Sequence, residues 1–125
     1  SWVVAELEKV VLPYHLDSMK QAAGTIALDY LAEMEERVAQ LTEERGRLEA
    51  ALRELPCDVW PSGANFVLFR PRTVDGAEVW KKLVDRSVLV RNCSSWPRLE
   101  GCLRVTIGTS HEDDRFLDAL REILT

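Results

Sequence analysis

Two arginines stand in apolar runs where a charge needs a reason. Arg91 closes Val88-Leu89-Val90-Arg91, and Arg104 lies inside Cys102-Leu103-Arg104-Val105-Thr106-Ile107-Gly108. A guanidinium is always protonated, presents a planar fork that suits carboxylate or phosphate, and is costly to bury without an anion. The period of two along the second run places Leu103, Val105 and Ile107 on one face and Cys102, Arg104, Thr106 and Gly108 on the other. Arg104 therefore shares the small, polar face, which leaves room for a ligand. Both arginines are candidate substrate-binding residues; the competing reading is a sheet-edge arginine or one paired with an internal carboxylate.

Asn65 sits in Ser62-Gly63-Ala64-Asn65-Phe66-Val67-Leu68-Phe69, where turn residues give way to a run typical of a buried strand. A buried amide must be satisfied, so Asn65 is expected to be structural, fixing the turn through backbone groups, with direct contact to a ligand as the alternative. Tyr14, in Pro13-Tyr14-His15-Leu16, either packs or lends a hydrogen bond to an anion. Trp2, Trp60, Trp80 and Trp96 read as core or interdomain surface, and Glu35-Glu36 and Glu112-Asp113-Asp114 as solvated helix faces and helix starts. No residue is expected to be catalytic, since there is no carboxylate pair, Gly-x-Ser-x-Gly, P-loop or dinucleotide glycine pattern. Cys57, Cys93 and Cys102 lack the Cys-x-x-Cys spacing of structural zinc and read as small buried hydrophobes, with no metal expected.

The elements that must position these residues follow from periodicity. Val3, Leu7, Val10 and Val11 predict a helix over Trp2 to Leu12 that ends at Pro13, and Asp17 or Ser18 can cap a second carrying Met19, Ala22, Ala23, Ile26 and Ala27. Leu31, Met34, Val38, Leu41, Leu48, Leu52 and Leu55 step by threes and fours, broken only by Arg45, through a long amphipathic helix from Tyr30 to Leu55, expected to pack within the chain and not as a free coiled coil. Beyond Pro56, strands are expected at Val59-Trp60, Asn65 to Phe69, Val88 to Arg91 and Leu103 to Ile107, with a helix from Asp75 to about Ser87 between the second and third. Thr109 and Glu112 have capping-box spacing before Phe116, Leu117, Leu120, Ile123 and Leu124. The fold class is α+β, a small mixed β-sheet with covering helices.

Composition narrows the partners. The 125 residues hold 16 basic and 21 acidic side chains, a net charge of -5, which gives no basic footprint for nucleic acid. With 46% hydrophobic and 30% charged residues, a folded domain is expected. No apolar run reaches the roughly 20 residues of a membrane span, and no signal pattern opens the chain, so a cytoplasmic location is expected.

Taken together, Pro13-Tyr14-His15-Leu16, Pro61-Ser62-Gly63-Ala64-Asn65-Phe66, Val88-Leu89-Val90-Arg91 and Gly101 to Thr109 resemble, in order and spacing, the terminal third of histidinol-phosphate aminotransferases. The resemblance implies the small domain of a pyridoxal-phosphate transferase fold. Residues 1–16 would be interdomain helix and linker, 17–55 long helices, and 56–125 the sheet and C-terminal helices. The parent would be a homodimer using pyridoxal 5'-phosphate to exchange an amino group between glutamate and a phosphorylated keto compound. Arg104 looks like the arginine that holds the substrate α-carboxylate and Arg91 like one that helps hold the phosphate; Asn65 matches a position that shapes the domain.

The same resemblance places the cofactor lysine upstream of the matched region, and none of Lys9, Lys20, Lys81 or Lys82 has its setting. The chain alone is therefore expected to be inactive, with the large domain of the same protein as its partner. Two alternatives remain open: the small domain of a threonine-phosphate decarboxylase or aromatic aminotransferase, and a free-standing partner-binding module without catalysis.

Overall fold

The computed structural model of the chain describes residues 1–11 and 16–125. It divides into two compact units, Ser1–Glu35 and Glu36–Thr125. Tyr14, with the rest of the Pro-Tyr-His segment, lies outside the described residues.

The first unit is helical. Helix α1 spans Trp2–Glu8 and stops short of the expected Leu12, because its last turn tightens: the N–H groups of Lys9 and Val10 donate three residues back, to Glu6 and Leu7. Helix α2, Ser18–Ala27, starts where Asp17 accepts from the Lys20 N–H at 2.9 Å. A 3-10 turn, Leu28–Tyr30, leads into helix α3, Leu31–Arg53, which runs into the second unit. No residue of α1 or α2 is buried. The apolar stripe of α3 is covered only in its second half: Leu48 and Leu52 are fully buried, whereas Leu31, Met34 and Val38 are exposed.

The second unit is a four-stranded sheet of β1 (Cys57–Val59), β2 (Phe66–Pro71), β3 (Arg91–Asn92) and β4 (Leu103–Thr106), in spatial order β1-β2-β4-β3. Helix α4, Gly76–Asp85, connects β2 to β3, and helix α5, Ser110–Leu124, closes the chain. Every pairing is antiparallel, so the mixed sheet expected from the sequence gives way to an antiparallel one. The reason is topological. The α4 crossover sets β2 and β3 in the same direction, but β4 returns between them and pairs with both, so the parallel strands never touch.

One sheet face carries the core. Val67 and Phe69 of β2 and Leu103 and Val105 of β4 meet Leu48 and Leu52 of α3, Val79 and Leu83 of α4, and Phe116, Leu117 and Leu120 of α5. The Phe69 and Phe116 rings pack edge to face with centroids 5.7 Å apart. At about 1.5–3 kcal/mol for each large side chain removed from water, this face supplies the driving force for folding. Cys57 is part of that core, and Cys93 and Cys102 are buried as well, the reading made from their spacing.

Two expectations about local structure change. Val88, Leu89 and Val90 are not strand, because helix α4 claims their backbone: the Val88 N–H donates to the Leu83 carbonyl at 2.9 Å, and the Val90 carbonyl accepts from the Trp80 indole at 3.0 Å. Asp113 is not solvated. It is 2% exposed, its Oδ1 accepts from the Gly108 N–H at 3.0 Å, and loss of water pushes its carboxyl above the usual range.

The termini of α4 and α5 are set locally. Asp75 accepts from the N–H groups of Ala77 and Glu78, and Thr109 and Glu112 form the capping box that their spacing predicts. Helix α4 begins hard against the loop after β3. A side chain at Gly76 would collide with the Gly101 carbonyl, and Gly101 itself has φ +72°, a conformation that favours glycine.

Candidate functional site

The sheet face opposite the core carries the charges. In the β3–β4 ladder Arg91 is the register partner of Arg104, and in the β2–β4 ladder Leu68 faces Arg104 while Phe66 faces Thr106. Directly opposed residues of an antiparallel pair project to the same side, so the two arginines rise together from neighbouring strands. They share an open depression of about 510 Å³ lined by Trp80, Leu89, Val90, Asn92 and Thr106. A second depression, of about 530 Å³ beside Asp113 and Phe116, contains neither arginine.

Of the two competing readings, a sheet-edge position describes Arg91, whose strand β3 is an edge of the sheet, and pairing with a carboxylate describes other arginines of the chain. Arg47, Arg53, Arg70, Arg72, Arg86 and Arg121 each meet an aspartate or glutamate. Among the described residues, Arg91 and Arg104 have no such partner. Arg104 is half-buried, its Cζ lies 4.6 Å from the centroid of the Phe66 ring, and its Nε is buried without a hydrogen-bond acceptor. A buried N–H left unmade costs about 1–3 kcal/mol. Two unpaired guanidinium groups and a buried donor on one concave face are the groups that a dianion, or a molecule bearing two anionic groups, would need.

Asn65 takes a different place from the one expected. It is exposed, not buried, and contributes its main-chain carbonyl, which accepts from the Ile107 N–H at 2.9 Å. The turn before β2 is fixed instead by Ser62, whose hydroxyl donates to the Phe66 carbonyl at 2.5 Å and accepts from the Ala64 N–H at 3.1 Å. Trp80 and Phe66 escaped the sequence reading as site residues. Trp80 stands on α4 one position after buried Val79, and nothing in helical spacing tells which neighbour its ring will meet.

The family described as "Aminotransferase class I and II" matches residues 1–120. The chain belongs to this aminotransferase family. A histidinol-phosphate aminotransferase of Streptomyces avermitilis is 46% identical over 121 residues, which are 97% of this chain and 31% of that protein. One of Escherichia coli is 40% identical over 123 residues, 95% of this chain and 34% of the relative. The chain thus spans about a third of the length of the curated relatives it matches.

Solved structures agree on the fold. The histidinol-phosphate aminotransferase of Clostridium acetobutylicum superposes with a TM-score of 0.81 at 23% identity, covering 95% of this chain and 36% of that one. A decarboxylase from Sulfurospirillum multivorans gives 0.79 at 28% identity, covering 98% and 36%. The α+β architecture of the chain is that of the matched part of these proteins.

Proposed function

We propose that this chain is the small, substrate-anchoring domain of a histidinol-phosphate aminotransferase, with residues 1–16 as the interdomain helix and linker. One observation carries the reading: Arg91 and Arg104 stand opposite each other, without carboxylate partners, over a single depression. The curated relatives of that name support the substrate assignment. Arg104, half-buried and backed by Phe66, holds the substrate α-carboxylate in a bidentate fork. Arg91, more exposed, helps hold the phosphate. Asn65, exposed beside β2, shapes the domain through its carbonyl bond to Ile107.

The parent would exchange an amino group between glutamate and imidazole-acetol phosphate in histidine biosynthesis, as a cytoplasmic homodimer. Pyridoxal 5'-phosphate supplies the electron sink for that exchange when bound in the parent. The residues of this chain do not fit a site for its attachment. Lys9, Lys20 and Lys82 are ion-paired along their helices, Lys81 is exposed, and no lysine lines the depression. What this domain contributes is orientation: Arg104 on the α-carboxylate of glutamate and Arg91 on the phosphate of the keto substrate each hold the reacting carbon at one place while water is excluded.

The decarboxylase among the structural neighbours favours a second reading, a decarboxylase of the same fold. Steady-state assays of the full-length parent with histidinol phosphate, threonine phosphate and phenylalanine separate the two. Turnover of histidinol phosphate with 2-oxoglutarate is the expected result; release of carbon dioxide from threonine phosphate without transamination would replace this assignment by the second.

A further inference from the structure

We infer that Trp80 is the positioning residue for Arg91, and that its indole N–H sets how tightly this depression grips a phosphate. The inference rests on the anchoring role proposed for Arg91 and adds what holds that arginine in place.

Arg91 opens a strand of only two residues. The chain before it, Val88 to Val90, makes no ladder with β4: Val88 and Val90 pack against the core and Leu89 between them is 82% exposed, so packing sets which way the segment faces while its backbone groups are left to partners outside the sheet. Two bonds from α4 supply them. The Val88 N–H reaches the Leu83 carbonyl, which closes the turn after the helix, and the Trp80 Nε1–H reaches the Val90 carbonyl at 3.0 Å. The second acts directly on Arg91. The Val90 carbonyl and the Arg91 N–H belong to one planar peptide unit, so a bond that aims the carbonyl also aims the N–H and the Cα from which the guanidinium departs.

The anchor stands on a packed helix. Val79 and Leu83, on either side of Trp80 in α4, are fully buried, and the helix start is capped by Asp75. Trp80 is 37% exposed, with its ring on the wall of the depression and its single polar atom committed to Val90. Without the indole bond Arg91 keeps its charge and reach but samples more positions, and binding an anion must then offset the ordering of that arm.

The test is an NMR titration of inorganic phosphate into the 15N-labelled chain at low, matched ionic strength. The indole N–H signal of Trp80, assigned by its loss in Trp80→Phe, is expected to shift together with the Nε–H signals of Arg91 and Arg104, with one common Kd. Trp80→Phe keeps a ring and loses the donor; it should bind phosphate about three- to tenfold more weakly. Trp60→Phe, a tryptophan of similar exposure outside the depression, should leave the affinity unchanged.

Equal affinity in wild type and Trp80→Phe, with shifts at both arginines intact, overturns the role of Trp80 and leaves the anion site standing. No shift at either arginine in the wild type removes the anchoring reading first and this inference with it. Should Trp80→Phe disturb the amide spectrum, hydrogen exchange of the wild-type indole decides. A protected N–H that phosphate protects further supports the inference, and an N–H exchanging as fast as free tryptophan overturns it.

Discussion

Arg91 and Arg104 face each other across the β3–β4 ladder as like charges, an arrangement that costs stability unless an anion comes between them. The site is therefore strained in the direction of binding. The consequences divide between the two residues.

In the full-length parent, Arg104→Lys keeps a charge but loses the fork, and should weaken glutamate through its α-carboxylate and also histidinol phosphate, which has no carboxylate and offers its phosphate to the adjoining pair of arginines. Arg91→Ala should mainly impair the phosphorylated substrate, with a smaller loss for glutamate. A charge-assisted contact is worth on the order of 1.5–3 kcal/mol, or roughly ten- to a hundredfold in kcat/KM when it persists in the transition state. Equal small effects of Arg91→Ala on every substrate, unphosphorylated histidinol included, would assign the phosphate to other groups.

Asp113 gives a pH signature. Burial raises its carboxyl above the ordinary value of 3.8, one oxygen accepts the Gly108 N–H, and Oδ2 is buried without a partner. A group raised in the folded state stabilises below the unfolded value, and that contribution is lost as pH rises through the folded one. Asp113→Asn keeps the acceptor and removes the charge. In urea unfolding it should match wild type near pH 3.5 and exceed it at pH 7; a less stable variant at pH 7 would show that the ionised carboxylate is satisfied.

The start of α5 tests the opposite sign. Thr109→Ala removes the hydroxyl of the capping box and should cost about 1 kcal/mol, read from the urea midpoint at constant slope. Glu112 is held below its ordinary 4.5 chiefly by the Thr109 backbone N–H, then by the Thr109 hydroxyl. Its contribution is present above 4.5 and lost as pH falls through the lowered value, so Glu112→Gln should destabilise at pH 7 and be neutral at pH 3.

The lysines give the last prediction. A lysine that attaches pyridoxal phosphate must be an uncharged amine beside a phosphate pocket. With Lys9, Lys20 and Lys82 ion-paired and Lys81 on an open helix surface, borohydride treatment of the chain mixed with pyridoxal phosphate should trap only scattered substoichiometric adducts by mass spectrometry. A single lysine modified to completion would place an attachment site within this chain.

Features governed by neighbours in sequence were legible from it. The caps at Asp17, Asp75 and Thr109 need only a side chain and the next turn, and the alternation of Leu103 to Ile107 set Arg104 apart from the core before any fold was known. Features governed by neighbours in space were not. Val88 to Val90 have strand composition, but α4 competes successfully for their backbone groups. Asn65 lies at the edge of an apolar run whose burial begins only at Val67, and Asp113 shares an acidic run with exposed Asp114 while pointing inward. That Arg91 and Arg104 are register partners required the strand order, because β4 inserts between β2 and β3.

The contact between Gly76 and Gly101 acquires a meaning from this arrangement. Helix α4 works as a strut across the β3–β4 hairpin: its first residue abuts the loop at Gly101, and one turn later its indole grips the other arm at Val90. A methyl group at position 76 would lever the near end of the strut away from the loop, and the indole one turn along would carry Val90 with it. Gly76→Ala is thus a remote control on the spacing of the two guanidinium groups, exerted from a residue that touches neither of them.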